Sequence, residues 1–279
     1  MKVLVTGAGG TLGREVTAHL RAEGWTVRAH DRAPLDPAVA DEVVTGELSD
    51  RKALSEALAG ADAVVHAAAL PSPHVAPQDE VFLNNVSASH LVLDGAGRAG
   101  ARRLVNVSSL SALGFAFSCH GLSPAAVPVT EEHPFVGDDV YGLSKYLGEA
   151  VAARVARRFG LTAVSLRFPF LGTGERLRRH LDAVHADPAF DRSSLWGWLD
   201  TRDAARAVGA ALTAELSGHT VVNVAAPDTS ALEPTAELMR RHHPHTRLDA
   251  PLDGHAVPFD TRRSRELLGF TPRFAWREE

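Results

Sequence analysis

Several features that define other protein classes are scarce or absent in this chain of 279 residues. Its single cysteine, Cys119, has no intramolecular partner for a disulfide. No segment approaches the run of roughly 20 apolar residues that crosses a bilayer, which excludes an integral membrane protein. The N-terminal sequence passes from Lys2 through a short apolar run directly into glycines, unlike a cleavable signal. These absences predict a cytoplasmic protein without a membrane partner.

An excess of positive charge is also missing. The chain has 29 Lys and Arg residues against 34 Asp and Glu residues, which gives a formal net charge of -5. Because no overall basic field is available to hold a phosphate backbone, nucleic acid is not a predicted partner. The hydrophobic fraction of 45% and the charged fraction of 23% are ordinary for globular proteins, which excludes disordered and collagenous chains.

Short β-branched or apolar runs alternate with segments of helical period, the pattern of βαβ units around a parallel sheet. Strands are predicted at residues 3–6, 25–30, 42–45, 63–66, 103–107, 162–166 and 220–224. Helices are predicted at residues 12–22, 51–58, 81–98 and 142–158. The pattern indicates an α/β fold with a doubly wound parallel sheet of the Rossmann type.

The alternation loosens in two places. Three prolines interrupt residues 114–139, so this stretch is expected to be a long irregular excursion near the site. Beyond residue 167 the elements become smaller, as expected for a cap over the carboxyl edge of the sheet. We expect a dinucleotide-binding domain at residues 1–167 and a small substrate-binding cap at residues 168–279, with a segment near 200–225 that returns to the sheet.

Glycines follow the first predicted strand at intervals of three residues, at Gly7, Gly10 and Gly13. A tight turn between strand and helix requires glycines even without a ligand, but such a turn also presents backbone N–H groups to a pyrophosphate. Asp31 stands 18 residues beyond Gly13 (31 − 13), where a carboxylate accepts the adenosine ribose hydroxyls. This carboxylate favours NAD over NADP, although the adjacent Arg32 softens its repulsion of a 2′-phosphate.

Tyr141 and Lys145 are four residues apart at the start of a predicted helix, so their side chains share one face. An ammonium beside a phenol stabilises the phenolate, which suits acid–base work near neutral pH. The preceding strand ends at Ser108 and Ser109, at the edge where doubly wound sheets bind ligands. A hydroxyl there can bind a substrate oxygen, or it can cap a strand-end turn.

Together these segments resemble the extended short-chain dehydrogenase/reductase superfamily in its NAD-dependent epimerase/dehydratase branch. The resemblance continues through His66–Ala69, through Leu166–Pro169 and into the C-terminal segment from Phe259 to Pro272. It implies NAD as cofactor and Ser109, Tyr141 and Lys145 as the catalytic residues. It also implies a homodimer built on the predicted helices at 81–98 and 142–158.

The residues that the resemblance assigns to cofactor binding lie along the first 168 positions of the chain. They are Gly7, Gly10, Thr11, Leu12, Gly13, Asp31, Arg32, Glu47, Leu48, Ala67, Ala68, Ala69, Asn85, Val107, Tyr141, Lys145 and Phe168.

The chain departs from the family pattern at Glu47, where members often have Asp, and at Leu113, where they often have Tyr. Little sequence follows Phe168 compared with enzymes that bind sugar nucleotides, so the chain resembles members that act on small substrates, such as uronate dehydrogenases and ketone reductases. The leading hypothesis is an NAD-dependent oxidoreductase that acts on a small sugar acid, polyol or ketone. The alternatives are a sugar-nucleotide epimerase or dehydratase with tightly held NAD, and a dinucleotide-sensing regulatory protein.

Two other sequence features suggest metal or thiol chemistry but do not predict it. The tract at residues 242–245 contains three histidines, but Pro244 prevents helical ligand spacing and no acidic or cysteine cluster accompanies it. Cys119 has no activating partner nearby in sequence and is expected to be an inert thiol. No metal site is therefore predicted.

The cap contains further candidates for substrate contact. Trp196 and Trp198 can line the pocket or belong to the core of the cap, and the sequence leaves both possibilities open. A group of arginines is either an anion clamp for an acidic substrate or a solvated helix face; its members are Arg176, Arg178 and Arg179.

Overall fold

A computed structural model describes residues 1–277, and a parallel sheet of seven strands organises the fold. In chain order the strands are β1 (Lys2–Thr6), β2 (Thr26–Asp31), β3 (Glu42–Thr45), β4 (Ala63–His66), β5 (Arg103–Ser109), β6 (Ala126–Val127), β7 (Thr162–Phe168), β8 (Phe170–Gly172), β9 (Trp198–Asp200), β10 (His219–Asn223) and β11 (Arg247–Leu248). The sheet runs in the order β10-β7-β5-β4-β1-β2-β3. Because the order reverses at β1 and β4, the sheet is doubly wound.

The helices are α1 (Thr11–Ala22), α2 (Arg51–Leu58), α3 (Gln78–Arg98), α4 (Val140–Phe159), α5 (Gly174–Ala186), α6 (Thr201–Thr213), α7 (Thr235–His242) and α8 (Arg262–Leu268). Aspartates cap three of them: Asp50 before α2, Asp139 before α4 and Asp200 before α6 each accept hydrogen bonds from backbone N–H groups of the first turn. These caps explain where the helices begin.

The sheet buries both faces because successive side chains of a strand point in opposite directions. On β1, Val3 and Val5 pack with α1 and α6, whereas Leu4 packs with α2, α3 and α4. All three side chains are fully buried. The near-continuous apolar runs of the sequence are therefore the central strands of a three-layer structure.

Two long segments leave the carboxyl edge of the sheet and pack over it. One follows β5 and contains β6, which pairs with β11, while Val129 bridges to Phe259. The other follows β7, where β8 pairs with β9 and α5 lies between them. β10 then pairs with β7 as an edge strand of the main sheet. The division into a cofactor domain at 1–167 and a cap at 168–279 stays a prediction.

The structure confirms the predicted α/β fold and differs from it at several element ends. β5 includes Ser108 and Ser109, which were expected just at its end, and α3 begins at Gln78 rather than at residue 81. Pro77 precedes α3, and a proline fits there because the first N–H groups of a helix have no partner within it. Among residues 1–277, no helix is long and apolar enough to cross a membrane.

Both tryptophans that the sequence left open belong to the core. Trp196 and Trp198 are fully buried, and their indole N–H groups donate to Pro188 O at 2.7 Å and to Asp228 Oδ1 at 3.2 Å. Neither side chain lines the cavities described below. A buried tryptophan needs an acceptor for its N–H group, and each of these has one within the protein.

Candidate active site

The glycine-rich turn between β1 and α1 has no room for side chains. Gly7 has a φ of +71°, and a Cβ there would lie 2.7 Å from backbone atoms of Ala68. A Cβ on Gly13 would lie 2.1 Å from the carbonyl oxygen of Gly7. Gly10 precedes α1 and provides no side-chain cap, so the first backbone N–H groups of α1 are available to an anion.

A cavity of about 370 Å³ lies beside this turn. Nine of the predicted cofactor contacts line it, namely Gly7, Gly10, Asp31, Arg32, Glu47, Leu48, Ala67, Ala68 and Ala69. The cavity lies where β1, β2 and β4 end, because these neighbouring parallel strands bring their carboxyl ends together.

Backbone N–H groups on both sides hold the carboxylate of Asp31 in place. Gly9 N–H donates to Oδ2 at 2.8 Å, and Ala33 N–H donates to Oδ1 at 3.1 Å. Each oxygen retains further acceptor capacity toward the cavity. A fixed acceptor next to an open helix N-terminus fits the ribose hydroxyls and pyrophosphate of NAD.

His30 lines the same cavity and was missed by the sequence analysis. Its ring is 1% exposed, and neither ring nitrogen has a hydrogen-bond partner within residues 1–277. Burial lowers the pKa of His30 below its ordinary value, so the imidazole is neutral near pH 7. The only sequence signal was its position immediately before Asp31.

A second cavity of about 650 Å³ continues from the glycine turn to the cap. Its lining includes Ser109, Tyr141 and Lys145, so two elements, β5 and α4, bring the predicted catalytic residues to one space. Besides Tyr141 and Lys145, the predicted cofactor contacts that line this cavity and not the first are Thr11, Leu12, Gly13, Val107 and Phe168. Ser109 ends β5, whereas Tyr141 and Lys145 lie on the first turns of α4.

The phenol of Tyr141 is enclosed. Its residue is 8% exposed, and its ring meets the ring of Phe117 edge to face at 5.7 Å between centroids. Burial raises the pKa of Tyr141 to about 12, and the hydrogen bond from Ser109 opposes this rise only in part. The phenol is therefore protonated near neutral pH in the protein alone.

The position of Lys145 corrects one expectation from the sequence. Its Nζ lies 5.8 Å from the centre of the Tyr141 ring and donates to the carbonyl oxygen of Val107 at 2.9 Å. The pKa of the phenol is not below its ordinary value, because the burial of Tyr141 raises it. Burial also lowers the pKa of Lys145 to about 8, against the attraction of Glu149.

A buried ion pair supports this end of α4. Arg167 Nε and Nη2 each donate to a different carboxylate oxygen of Glu149 at 2.8 Å, and the Ser108 hydroxyl donates to the same carboxylate at 2.6 Å. Glu149 and Arg167 are 5% and 4% exposed. The network joins β5, β7 and α4 one helical turn beyond Lys145, and thereby fixes the helix that carries both ionisable site residues.

Asn85 occupies a different place from the one predicted. It lines neither cavity; its side chain accepts from Leu70 N–H at 2.8 Å and donates to Leu70 O at 3.0 Å and Ser144 Oγ at 3.2 Å. With both ends of its amide engaged by the protein, it holds the loop after β4 and ties α3 to α4. The sequence pattern could not separate a ligand contact from this positioning role.

The cap supplies a polar and aromatic wall to the second cavity. Arg176 and His180 are one turn apart on α5, and both contact the ring of Phe170. His180 Nε2 lies 3.5 Å from Asp191 Oδ2, and neither atom has a hydrogen-bond partner within the described chain. Of these residues, only Arg176 was predicted from the sequence. Arg178 and Arg179 lie outside the cavity lining.

These features define a Rossmann-fold enzyme of the extended short-chain dehydrogenase/reductase type, and sequence comparison gives the family. Residues 3–225 match the model of the NAD-dependent epimerase/dehydratase family, and the chain belongs to that family. The protein is therefore an enzyme of this family.

Characterised relatives have similar sequences. The chain is 30% identical over 168 residues to a uronate dehydrogenase of Pseudomonas putida, a match that spans 60% of this chain and 59% of that protein. It is 30% identical over 222 residues to an L-arabinose 1-dehydrogenase (NAD(P)(+)) of Haloferax volcanii, which spans 77% of this chain and 84% of the relative.

A solved structure has the same architecture. A short-chain dehydrogenase/reductase superfamily protein from Agrobacterium tumefaciens, crystallised with bound NAD, superposes with a TM-score of 0.75 and 27% sequence identity. The match covers 99% of this chain and 93% of that one. The likeness extends over both the sheet and the segments that pack on its carboxyl edge.

Proposed function

We propose that this protein transfers hydride between NAD and a hydroxyl-bearing or ketone carbon of a small sugar acid, polyol or ketone. The observation that carries the proposal is the convergence of Ser109, Tyr141 and Lys145 on a cavity that the cap closes with a basic and aromatic wall. The cavity of about 650 Å³ also has to take the nicotinamide end of the cofactor, which favours a small substrate over a sugar nucleotide.

Each of the three residues has a distinct proposed task. Bound NAD supplies the nicotinamide carbon that accepts or donates the hydride. Tyr141 takes the substrate hydroxyl proton during oxidation and returns it during reduction. Ser109, whose hydroxyl neighbours the phenol, donates to the substrate oxygen as charge develops there. Lys145 holds positive charge 5.8 Å from the phenol ring and favours the phenolate when it forms.

Arg176 is the proposed contact for an acidic substrate group. Its Nε already donates to the carbonyl oxygen of Leu171 at 2.8 Å, and its guanidinium lies 4.9 Å from the centre of the Phe170 ring. These two contacts orient the guanidinium so that its other N–H groups can donate to a ligand beside the cavity. A carboxylate suits this arrangement. A uronic acid is therefore the first substrate to test.

The proposal is tested with a substrate panel. Purified protein is incubated with NAD and with uronic acids, neutral aldoses, polyols or sugar nucleotides, and the absorbance of reduced nicotinamide is followed. We expect turnover of a uronic acid, with KM raised about tenfold or more in Arg176→Met and unchanged in the matched control Arg178→Met. Interconversion of a sugar nucleotide without release of NADH would instead support the epimerase alternative. NAD binding without turnover of any substrate would support the regulatory alternative.

Asp31 is proposed to set the cofactor preference. Its fixed carboxylate favours ribose hydroxyls and repels a 2′-phosphate, so titration calorimetry should give tighter binding of NAD(H) than of NADP(H). Asp31→Asn should weaken NAD binding and reduce the difference between the affinities for NAD(H) and NADP(H). Glu80→Gln is the matched control, because it removes an exposed carboxylate outside both cavities and should leave both affinities unchanged. A wild-type preference for NADP(H) contradicts the assignment.

We propose a homodimer in which α3 and α4 of two copies pack together. Leu83 on α3 is 62% exposed and Tyr146 on α4 is 41% exposed, although both are large apolar residues on neighbouring helices. Light scattering at micromolar concentration should give twice the mass of one chain, and Leu83→Glu combined with Tyr146→Glu should halve it. A monomeric wild type removes this claim without affecting the catalytic proposal. The cytoplasmic location expected from the sequence stays a prediction.

A further inference from the structure

The segment after Phe117 brings together three side chains of different metal-ligating types outside the active-site lining. Cys119 Sγ lies 3.4 Å from His120 Nδ1 and 3.4 Å from Asp138 Oδ2. His120 Nδ1 lies 2.5 Å from the same carboxylate oxygen. The three ligand atoms lie within 4.8 Å of one another and at the protein surface.

We infer that Cys119, His120 and Asp138 form a binding site for Zn²⁺ or a similar borderline divalent cation. With bond lengths of about 2.0–2.3 Å, ligand atoms around tetrahedral zinc are roughly 3.3–3.6 Å apart. The distances from Cys119 Sγ to His120 Nδ1 and to Asp138 Oδ2 already have this spacing. Only the distance between His120 Nδ1 and Asp138 Oδ2 has to increase. Binding forms one bond from each ligand, the thiol proton leaves to solvent, and water fills the fourth position.

Local backbone structure holds the ligands near this arrangement. The hydroxyl of Ser118 accepts from the N–H of His120 at 3.1 Å and donates to Asp138 Oδ2 at 3.1 Å. One carboxylate oxygen is thus the meeting point of three consecutive side chains. Within residues 1–277 the ion-pair partner of Asp138 is His120, itself a proposed ligand, so no lysine or arginine competes with a metal for the carboxylate.

The ligand types of Cys119, His120 and Asp138 determine which ion the site prefers. A thiolate and an imidazole are softer ligands than the oxygens preferred by Mg²⁺ and Ca²⁺, and cysteine with histidine and one carboxylate suits Zn²⁺ or Co²⁺. The His120 side chain is 74% exposed and that of Asp138 is 28% exposed, so an ion reaches the site directly from solvent.

The site joins two segments that border the active-site phenol. Phe117, whose ring contacts Tyr141, lies two residues before Cys119. Asp139, next to Asp138, accepts from Gly142 N–H at 2.6 Å and caps α4. A bound ion therefore ties the loop that covers Tyr141 to the start of the helix that carries it.

The test is a metal titration of the full chain, purified without a histidine tag. Co²⁺ is followed by its thiolate charge-transfer absorption, and Zn²⁺ by competition with a chromogenic chelator. We expect one Co²⁺ per chain with thiolate ligation, displaced by Zn²⁺. Loss of a ligand in Cys119→Ser, His120→Ala or Asp138→Asn should weaken Zn²⁺ binding by at least about 100-fold. Zn²⁺ should also raise the melting temperature of the wild type but of none of these variants.

His245, the exposed histidine of the tract at 242–245, supplies the matched control. His245→Ala removes an exposed imidazole from the tract at 242–245 and should leave Zn²⁺ affinity unchanged. The inference is overturned if Co²⁺ shows no thiolate absorption, or if Cys119→Ser and the wild type bind Zn²⁺ equally. It is also overturned if His245→Ala abolishes binding, because the ion then belongs to the tract. All three ligands are exposed, so the variants are expected to fold.

Discussion

Tyr141→Phe is expected to lower kcat by about 10²–10⁴-fold, the usual contribution of a positioned acid or base, while NAD affinity stays close to that of the wild type. The substitution removes only the phenolic oxygen. The ring still fills its place against Phe117, 5.7 Å away, and the glycine turn that faces the pyrophosphate is untouched. Steady-state kinetics on the substrate that the panel identifies, together with calorimetry of NAD, measure the two quantities separately.

The chain offers a matched control for this variant. It has two tyrosines, and the second, Tyr146, is also on α4 but faces away from the cavity and is 41% exposed. Tyr146→Phe should have wild-type kcat. Near-wild-type activity in Tyr141→Phe would show that another group transfers the proton, whatever the fold.

The pH dependence follows from the protonation of the same phenol. Oxidation needs the phenolate, and burial raises the pKa of Tyr141 to about 12, so the oxidation rate should increase from neutral to alkaline pH. Reduction needs the protonated phenol and should not increase with pH over that range. Tyr141→Phe should lose the dependence in the oxidation direction.

Breaking the buried ion pair below the site should have the largest effect on stability. Glu149→Ala leaves the Arg167 guanidinium, whose side chain is 5% exposed, without its carboxylate. Removing one partner of a buried pair typically costs about 3–5 kcal/mol, because an uncompensated charge stays in a low-dielectric environment. The measurement is the free energy of unfolding from urea denaturation at neutral pH.

Two further variants separate this cause from a general sensitivity to the loss of an ion pair. Arg179→Ala removes one partner of an exposed pair with Glu175, four residues apart on α5, and should cost only about 0.3–0.5 kcal/mol. The double variant Glu149→Leu with Arg167→Met removes both charges and should regain much of the stability lost in Glu149→Ala. If Glu149→Ala unfolds at the wild-type urea concentration, the ion pair is not a principal support of the site.

The elements that the sequence predicted well are those whose signals are local. Period-two and continuous apolar runs predicted all seven strands of the sheet, because each central strand is buried on both faces. Glycine spacing predicted the turn at Gly7 and Gly13, where backbone contacts leave no room for a Cβ. The rule that ligands bind at the carboxyl edge of the sheet predicted a site at Ser109, and Tyr141 lines the same cavity.

What the sequence could not predict depends on contacts between distant segments. The pairing of β6 with β11 joins strands of two residues each, too short for any periodic signal. The role of Asn85 depends on the loop at Leu70, and the protonation of Tyr141 depends on how completely Phe117 and its neighbours bury it. His180 and Asp191 meet only because α5 folds back on the segment that follows it.

The central claim is hydride transfer to free NAD, and one isotope measurement tests it most directly. The substrate that the panel identifies is prepared with deuterium on the carbon that carries the reacting hydroxyl and is incubated with NAD. Mass spectrometry should find one deuterium in the NADH that is released, at a rate about 10²–10⁴-fold lower with Tyr141→Phe. Product that retains the deuterium, with unlabelled cofactor in solution, would contradict the account.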